Sequence, residues 1–375
     1  MSETYPFEPG PVLVDNAWYV AAWSSDVSRT PIQRSILGQQ VVLYRTDDGK
    51  PVALADRCPH RGFRLSMSRV VGDQIECGYH GFTFDSAGQC VRIPSQAHIP
   101  AGFRTRCYPT IERWKWVWIW AGSAEDADPS LIPDHEEAGL MGGNWLAEVG
   151  CDFSVRARYQ LFNENLLDLT HLTSLHSGTI GTPGIATAKV TTEVEGRVVR
   201  VKRDTLDEAA TPFYAARLGI SVGKIDRRHV TTFIAPSFHV IHVTTTEAAS
   251  AADGHAPAVY GEHKIVHAIA PETETTMRDF WAFTRTYNQS AEMSQYLRKN
   301  LSEVIRQDIE ALEAVESLIG DGERRFEFSC AADEASLKGR QVVQTLLREQ
   351  CIAKESQSSA ARSKSRGSKA ENRYL

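Results

Sequence analysis

Cys58-Pro59-His60 and Cys77-Gly78-Tyr79-His80 are the residues of this chain best suited to redox chemistry, with Gly78 and Gly81 beside the second pair. Each short run mixes one thiol with one imidazole. Two such loops can give one iron two thiolates and the other two imidazoles, which is the ligand set of a Rieske two-iron, two-sulfur centre. Zinc also accepts two cysteines and two histidines, but its sites usually place Cys with Cys and His with His along the chain. Electron transfer is the chemistry this mixed pattern implies.

A second candidate set follows in the stretch from Asn165 through Asp168 to His171, and then His176. Two histidines and a carboxylate with open positions form the ligand set of a non-haem iron(II) oxygenase. An i to i+5 spacing turns His171 and His176 about 140° apart on an ideal helix, so both reach one ion only where the helix ends or distorts between them. Two unrelated polar histidines are the competing reading. The carboxylate candidate is Asp308, which falls within about 60° of Leu301, Ile305, Leu312, Val315 and Ile319 on one helical stripe. Glu303, Glu310 and Glu313 point elsewhere. A carboxylate on a buried helix face costs several kcal/mol unless it is paired, protonated or metal-bound. A buried salt bridge is the alternative, but two histidines in need of a carboxylate make coordination the simpler account.

These side chains need elements to hold them. Short apolar runs such as Val41-Val42-Leu43-Tyr44 and Val52-Ala53-Leu54, split by Asp47-Asp48-Gly49, read as a hairpin before the first ligand loop. Trp114, Trp116, Trp118 and Trp120 alternate along one strand and need a wide apolar surface, a core or a domain interface. After Gly122 the composition turns to Ala, Glu, Asp and Pro, which marks a boundary. Strand-like stretches are expected over 189–203, 229–245, 258–270 and 276–287, with a helix of about twenty residues between Ser290 and Gly320.

The 375 residues exceed what one core usually serves, so two domains are expected. No apolar run nears the roughly 18 residues of a membrane helix, and the N-terminus has neither a basic start nor an apolar stretch. A cytoplasmic location is expected. Seven scattered cysteines do not read as a disulfide framework. The net charge of −6 argues against nucleic acid as a partner, and the basic, Ser-rich tail over 352–375 is expected to be disordered.

Together, CPHRGFRLS, GDQIECGYHGFTFDSAGQC, ERWKWVWIW, NLLDLTHLTSLH and QDIEALEAVE resemble the oxygenase component of Rieske non-haem iron oxygenases, in the branch of vanillate and dicamba O-demethylases. The resemblance implies an α+β chain: an all-β Rieske domain over 12–122, then a helix-grip catalytic domain over 123–350, an antiparallel sheet around a long helix. It implies that Cys58, His60, Cys77 and His80 hold the [2Fe-2S] cluster. It also implies that His171, His176 and Asp308 hold a mononuclear Fe(II) with Asn165 close by, and that Asp168 bridges this iron to His80 of the next subunit in a homotrimer. The sequence departs from the pattern at Phe63-Arg64, at Phe82 where a Trp is frequent, and at Met277-Arg278-Asp279 where a His is common.

Inserting one atom of O2 requires two external electrons, which a one-electron cluster beside a ferrous centre can deliver in sequence. No G-x-G-x-x-G or plant-type ferredoxin run is present in the sequence, so a separate reductase, with or without a ferredoxin, must draw on NADH or NADPH. The branch favours monooxygenation of a methyl group on a substituted aromatic ring, releasing formaldehyde from an ether or N-methyl group. Phe233, Phe238, Val240 and His242 on one strand, with Trp281, Phe283 and Arg285 on another, are candidates to line the pocket. Ring hydroxylation or dihydroxylation by the same metals, a Rieske electron carrier without chemistry of its own, and a zinc-stabilised carrier module are the competing readings.

Overall fold

Alternation along Val41-Val42-Leu43-Tyr44 decides how the N-terminal half is layered. In the computed structural model, which describes residues 6–221, 223–252, 255–319 and 328–371, these residues lie on β3 (Gln39–Arg45). With β2 (Ile32–Ile36), β4 (Pro51–Ala55) and β9 (Cys107–Tyr108), it forms a four-stranded sheet in the order β2-β3-β4-β9. Side chains on a strand alternate between faces. Val41, Leu43 and Ala53 therefore enter the large central core, whereas Val42, Tyr44, Val52 and Leu54 enter a smaller one. The smaller core also holds Cys58 and Cys77 and is closed by β5 (Arg69–Val71), β6 (Gln74–Glu76), β7 (Thr83–Phe84) and β8 (Cys90–Arg92).

The tryptophan strand is β11 (Trp116–Ala121), flanked by β1 (Ala17–Trp23) and β10 (Thr110–Arg113). Trp116 and Trp118 both pack edge-on to His135 and reach Phe238 across the chain. They thus serve a core and a domain interface at once.

The second half is built on a seven-stranded antiparallel sheet. Its strands are β12 (Leu146–Val155), β13 (Val190–Glu195), β14 (Val198–Ala209), β15 (Lys224–Ile234), β16 (Phe238–Glu247), β17 (Val259–Pro271) and β18 (Met277–Arg285), in the order β12-β18-β17-β16-β15-β14-β13. The expected strands over 189–203 and 229–245 are each broken in two. Gly196, at φ +54, turns the chain between β13 and β14, and Ala235-Pro236-Ser237 separates β15 from β16.

Helices α1 (Tyr159–Leu167), α2 (Leu172–Leu175), α3 (Pro183–Thr187) and α4 (Pro212–Leu218) lie on connections within this half. The long helix α5 (Ala291–Ile319) has 29 residues rather than about twenty. It runs beside β12, tied by a buried pair between Arg158 and Glu316 at 2.7 Å and by Arg298 Nε donating to the Val149 carbonyl at 2.9 Å. Leu301, Ile305, Leu312 and Ile319 are buried as the stripe requires, but Val315 is 42% exposed.

Helix α6 (Glu334–Glu371) had no counterpart in the sequence expectations. Val343, Leu346 and Leu347 pack it into the main core. Within the 352–375 stretch, expected to be disordered, the backbone of α6 continues as helix as far as Glu371. Among the described residues no helix is long and apolar enough to cross a membrane.

Candidate metal centres and substrate pocket

The two Cys/His loops share one backbone design. In the first, Cys58 N–H donates to the Phe63 carbonyl and Gly62 N–H to the Cys58 carbonyl; in the second, Cys77 N–H donates to Phe82 and Gly81 N–H to Cys77, all at 2.8–2.9 Å. Gly62 and Gly81 sit at φ +75 and +71, which side chains with a Cβ rarely adopt. The repeat of Gly four residues after each Cys was legible in the sequence and is the local reason both loops fold alike.

Cys58 and Cys77 are buried, while His80 is exposed and His60 half-buried. The two imidazoles stand with ring centroids 4.7 Å apart, and Phe82 stacks on His60 at 4.4 Å. Burial, reinforced by the neighbouring Cys77, pushes the Cys58 thiol up to about 11. A thiolate there requires a cation, and His60 Nδ1 is buried without a hydrogen-bond partner. Two buried sulfurs and two imidazoles at the rim suit a two-iron, two-sulfur cluster.

The second centre is assembled from two chain segments. His171 closes a 3-10 turn over Leu169–His171, α2 is a single turn, and His176 leaves the helix at φ −111, ψ 23. This break brings both rings to one point, as their spacing demanded. Asp308 arrives from α5, and the donor atoms of His171, His176 and Asp308 all lie within 4.8 Å of one another. Asp308 Oδ1 is 3.3 Å from His171 Nε2 and 3.0 Å from His176 Nε2. Metal–ligand bonds of about 2.1 Å at right angles separate donors by about 3 Å.

The far sides of the rings fix which nitrogen faces Asp308. His171 Nδ1 lies 2.5 Å from the Asp168 backbone carbonyl, and His176 Nδ1 lies 2.8 Å from Gln307 Oε1. Both oxygens accept, so each Nδ1 carries a proton and Nε2 is the nitrogen left to bind a metal. Without a metal each Nε2 meets the Asp308 carboxylate as a donor; with one, the two lone pairs and the carboxylate would face the ion together. Burial opposes ionisation of Asp308, yet the two histidines bring it down to about 2. Burial likewise opposes a charged His176, but Asp308 and Gln307 outweigh it and raise its pKa. Asn165 Nδ2 donates to Asp308 Oδ1 at 3.1 Å.

In the single chain Asp168 is held by its own neighbours. Its carboxylate accepts from Thr170 N–H at 2.9 Å and Thr170 Oγ1 at 2.8 Å, and lies 4.0 Å from Arg203, so within this chain it is the backbone carbonyl that touches His171. The side chain remains 22% exposed and borders an open surface groove with Asn165, His171 and Arg340.

Beside the trio lies a largely apolar cavity of about 90 Å³, lined by Leu301, Val304 and Ile305 of α5 and by Ile241, Ile265 and His267 of the sheet. None of the seven pocket candidates borders it. Phe238, Val240 and His242 alternate with Ile241 and so occupy the opposite sheet face. Phe233, Trp281, Phe283 and Arg285 share the correct face but are covered: Phe233 stacks on His239, Trp281 donates to Cys151 Sγ, and Arg285 is spent on Asn288, Ser290 and Ser294. Asp279, one of the departures from the family pattern, accepts from His267 Nδ1 at 2.9 Å. Gln307 and His267 were missed because a lone polar residue in a helix or strand carries no motif.

Comparison with known proteins gives the same two-part layout. Residues 17–109 match the Rieske [2Fe-2S] domain family, and residues 155–349 match the vanillate O-demethylase oxygenase C-terminal domain family. The chain is 32% identical over 345 residues to the vanillate O-demethylase oxygenase subunit of Pseudomonas sp. (strain HR199 / DSM 7063), covering 88% of this chain and 94% of that one. It is 30% identical to the oxygenase component of dicamba O-demethylase from Stenotrophomonas maltophilia, covering 89% and 98%. The crystal structure of dicamba monooxygenase bound to 3,6-dichlorosalicylic acid superposes with a TM-score of 0.82 at 26% identity, covering 90% of this chain and 99% of that one.

Proposed function

Since the chain belongs to the vanillate O-demethylase type of Rieske non-haem iron oxygenase components, we propose that Cys58, His60, Cys77 and His80 hold its [2Fe-2S] cluster and that His171, His176 and Asp308 hold its mononuclear Fe(II). The protein is a monooxygenase component that works with a separate reductase on aromatic substrates. The convergence of His171 Nε2 and His176 Nε2 on Asp308 is the observation that carries the residue assignment.

When bound, the cluster supplies single electrons and the ferrous centre supplies O2 activation. The chain's own residues set the conditions. Asp168 and Gln307 hold the His171 and His176 rings in the tautomer that leaves Nε2 free. Asn165 donates to the metal-facing oxygen of Asp308 and fixes its rotamer. Leu301, Val304 and Ile305 keep water from the cavity, so a methyl group placed there meets the reactive centre in a dry site.

His80 is exposed, and Asp168 is 22% exposed beside an open groove. This supports a ring of three copies in which His80 of one subunit enters the groove of the next, with Asp168 re-aimed from Thr170 onto that imidazole. Electrons then cross between subunits. The reaction class is oxidation of a methyl group on an aryl ether, an N-methyl or a ring carbon, with formaldehyde leaving in the first two cases.

The test is turnover of methoxy-substituted aromatics by purified holoenzyme with a surrogate reductase. Formaldehyde is expected in proportion to O2 consumed, and a product retaining both oxygen atoms would instead make the protein a dioxygenase.

A further inference from the structure

Among the described residues, only two buried histidines meet a carboxylate: His176, beside Asp308 in the metal trio, and His267 on β17. Strand register explains the second contact. His267 pairs with Trp281 and Ile269 pairs with Asp279, so Asp279 on β18 is the diagonal neighbour of His267 on the same sheet face. Asp279 Oδ2 accepts from His267 Nδ1 at 2.9 Å. Asp279 is 0% exposed, and its other oxygen is buried without a partner. Among the described residues the imidazole is therefore the one polar group that meets this carboxylate.

His267 also borders the cavity beside the metal ligands. With Nδ1 committed to Asp279, Nε2 is the ring nitrogen left without a protein partner among the described residues. Helix α1 relates the ring to the trio: Phe162 packs edge-on to His267 at 5.4 Å, and Asn165, about one turn further along, donates to Asp308. His239, the cross-strand neighbour of His267, is bonded to Asn163 and stacked on Phe233, so it does not compete for Asp279.

We propose that His267, supported by Asp279, moves the proton that breaks down the hydroxymethyl product of methyl oxidation. This rests on the demethylation reading above. In a hydroxymethyl aryl ether the new O–H donates to His267 Nε2. The ring takes that proton, the electron pair of the O–H bond becomes the second bond of formaldehyde, and the bond from this carbon to the aryl oxygen breaks with its pair left on that oxygen. His267 then returns the proton to the aryl oxygen. Phenol and formaldehyde leave, with no oxidant or external proton consumed. Asp279 stays ionised and stabilises the imidazolium formed in between, as a buried carboxylate behind a catalytic histidine does. His267 would be the catalytic residue of this step and Asp279 its positioning residue. A hydroxymethyl group on a ring carbon has no such bond to lose and would stay hydrogen-bonded to Nε2.

The experiment has a binding arm and a kinetic arm. Anaerobic calorimetric titration of holoenzyme compares 3-(hydroxymethyl)benzamide with 3-methylbenzamide, which differ by one hydroxyl. The alcohol is expected to bind about 3- to 10-fold more tightly. The double variant His267→Leu/Asp279→Leu, which strands no buried charge, is expected to erase that margin. Single turnover of reduced holoenzyme with 3-methoxybenzamide then follows cluster oxidation in the visible and the phenol in the ultraviolet. The two signals should coincide in the unaltered protein. In Asp279→Asn, which keeps an acceptor for Nδ1 but not the charge, the phenol should lag cluster oxidation by more than about tenfold. The visible cluster spectrum and melting point report whether each variant is folded. Equal binding of alcohol and methyl compound by the unaltered protein, or phenol that keeps pace with cluster oxidation in Asp279→Asn, would overturn the proposal. Hydroxyl-selective binding with no formaldehyde from any methoxy compound would keep Nε2 as the hydroxyl partner and overturn the demethylation reading instead.

Discussion

At the scale of single residues, the two sites differ in how plainly the sequence announced them. Cys58, His60, Cys77 and His80 were legible because each ligand pair is local and carries its own turn. Asp308 was legible only through helical phase, as one carboxylate on a buried stripe. Replacing Asp308 with Ala is expected to lower iron from three to two per chain while the visible cluster spectrum is retained; iron content after gel filtration reads this directly. Asp168→Asn keeps the backbone carbonyl that orients His171, so both centres should stay loaded. Turnover should nonetheless fall by more than about tenfold, because the proposed bridge needs an ionised carboxylate. Unchanged turnover in the fully loaded variant would remove that bridge.

Among the elements, α5 carries the greatest mechanical burden. It must hold Asp308 within a few tenths of an ångström of two histidines that come from a different segment, and its anchor is the buried Arg158–Glu316 pair, where Arg158 N–H, Nε and Nη2 all bond the carboxylate. Glu316→Ala strands a buried guanidinium and should cost about 3–5 kcal/mol in urea unfolding. It should also weaken retention of the mononuclear iron ahead of the cluster. The stripe of α5 was readable in the sequence except at Val315, which is exposed although Leu312 and Ile319 on either side of it are buried. The sheet was harder to read. Parity alone decides whether a strand residue faces the cavity, and the expectation grouped Phe233 with Phe238, Val240 and His242, which have the opposite parity and lie on the other sheet face from Ile241.

For the whole molecule, burial of neutral histidines sets the response to acid. Burial holds His229, His239 and His263 well below their ordinary pKa and His135 at about 4. The unfolded chain takes up these protons near pH 6.5 and the folded one does not, so stability is full above that pH and falls below it. Each such group removes up to about 1.4 kcal/mol per pH unit. Urea midpoints are therefore expected to fall steeply between pH 6.5 and 5, and a flat profile would mean that these rings are solvated.

The division of the chain after Gly122 is likewise not a division of the packing. The β1-β11-β10 sheet belongs to the same core as the seven-stranded sheet, while only the residues behind β3 and β4 close around the two cysteines. That minor core is too small to stand unaided, and iron–sulfur bonds must supply much of its cohesion. Gentle warming should accordingly bleach the red-brown pigment in a step of its own, with tryptophan emission still native, before the body of the protein melts.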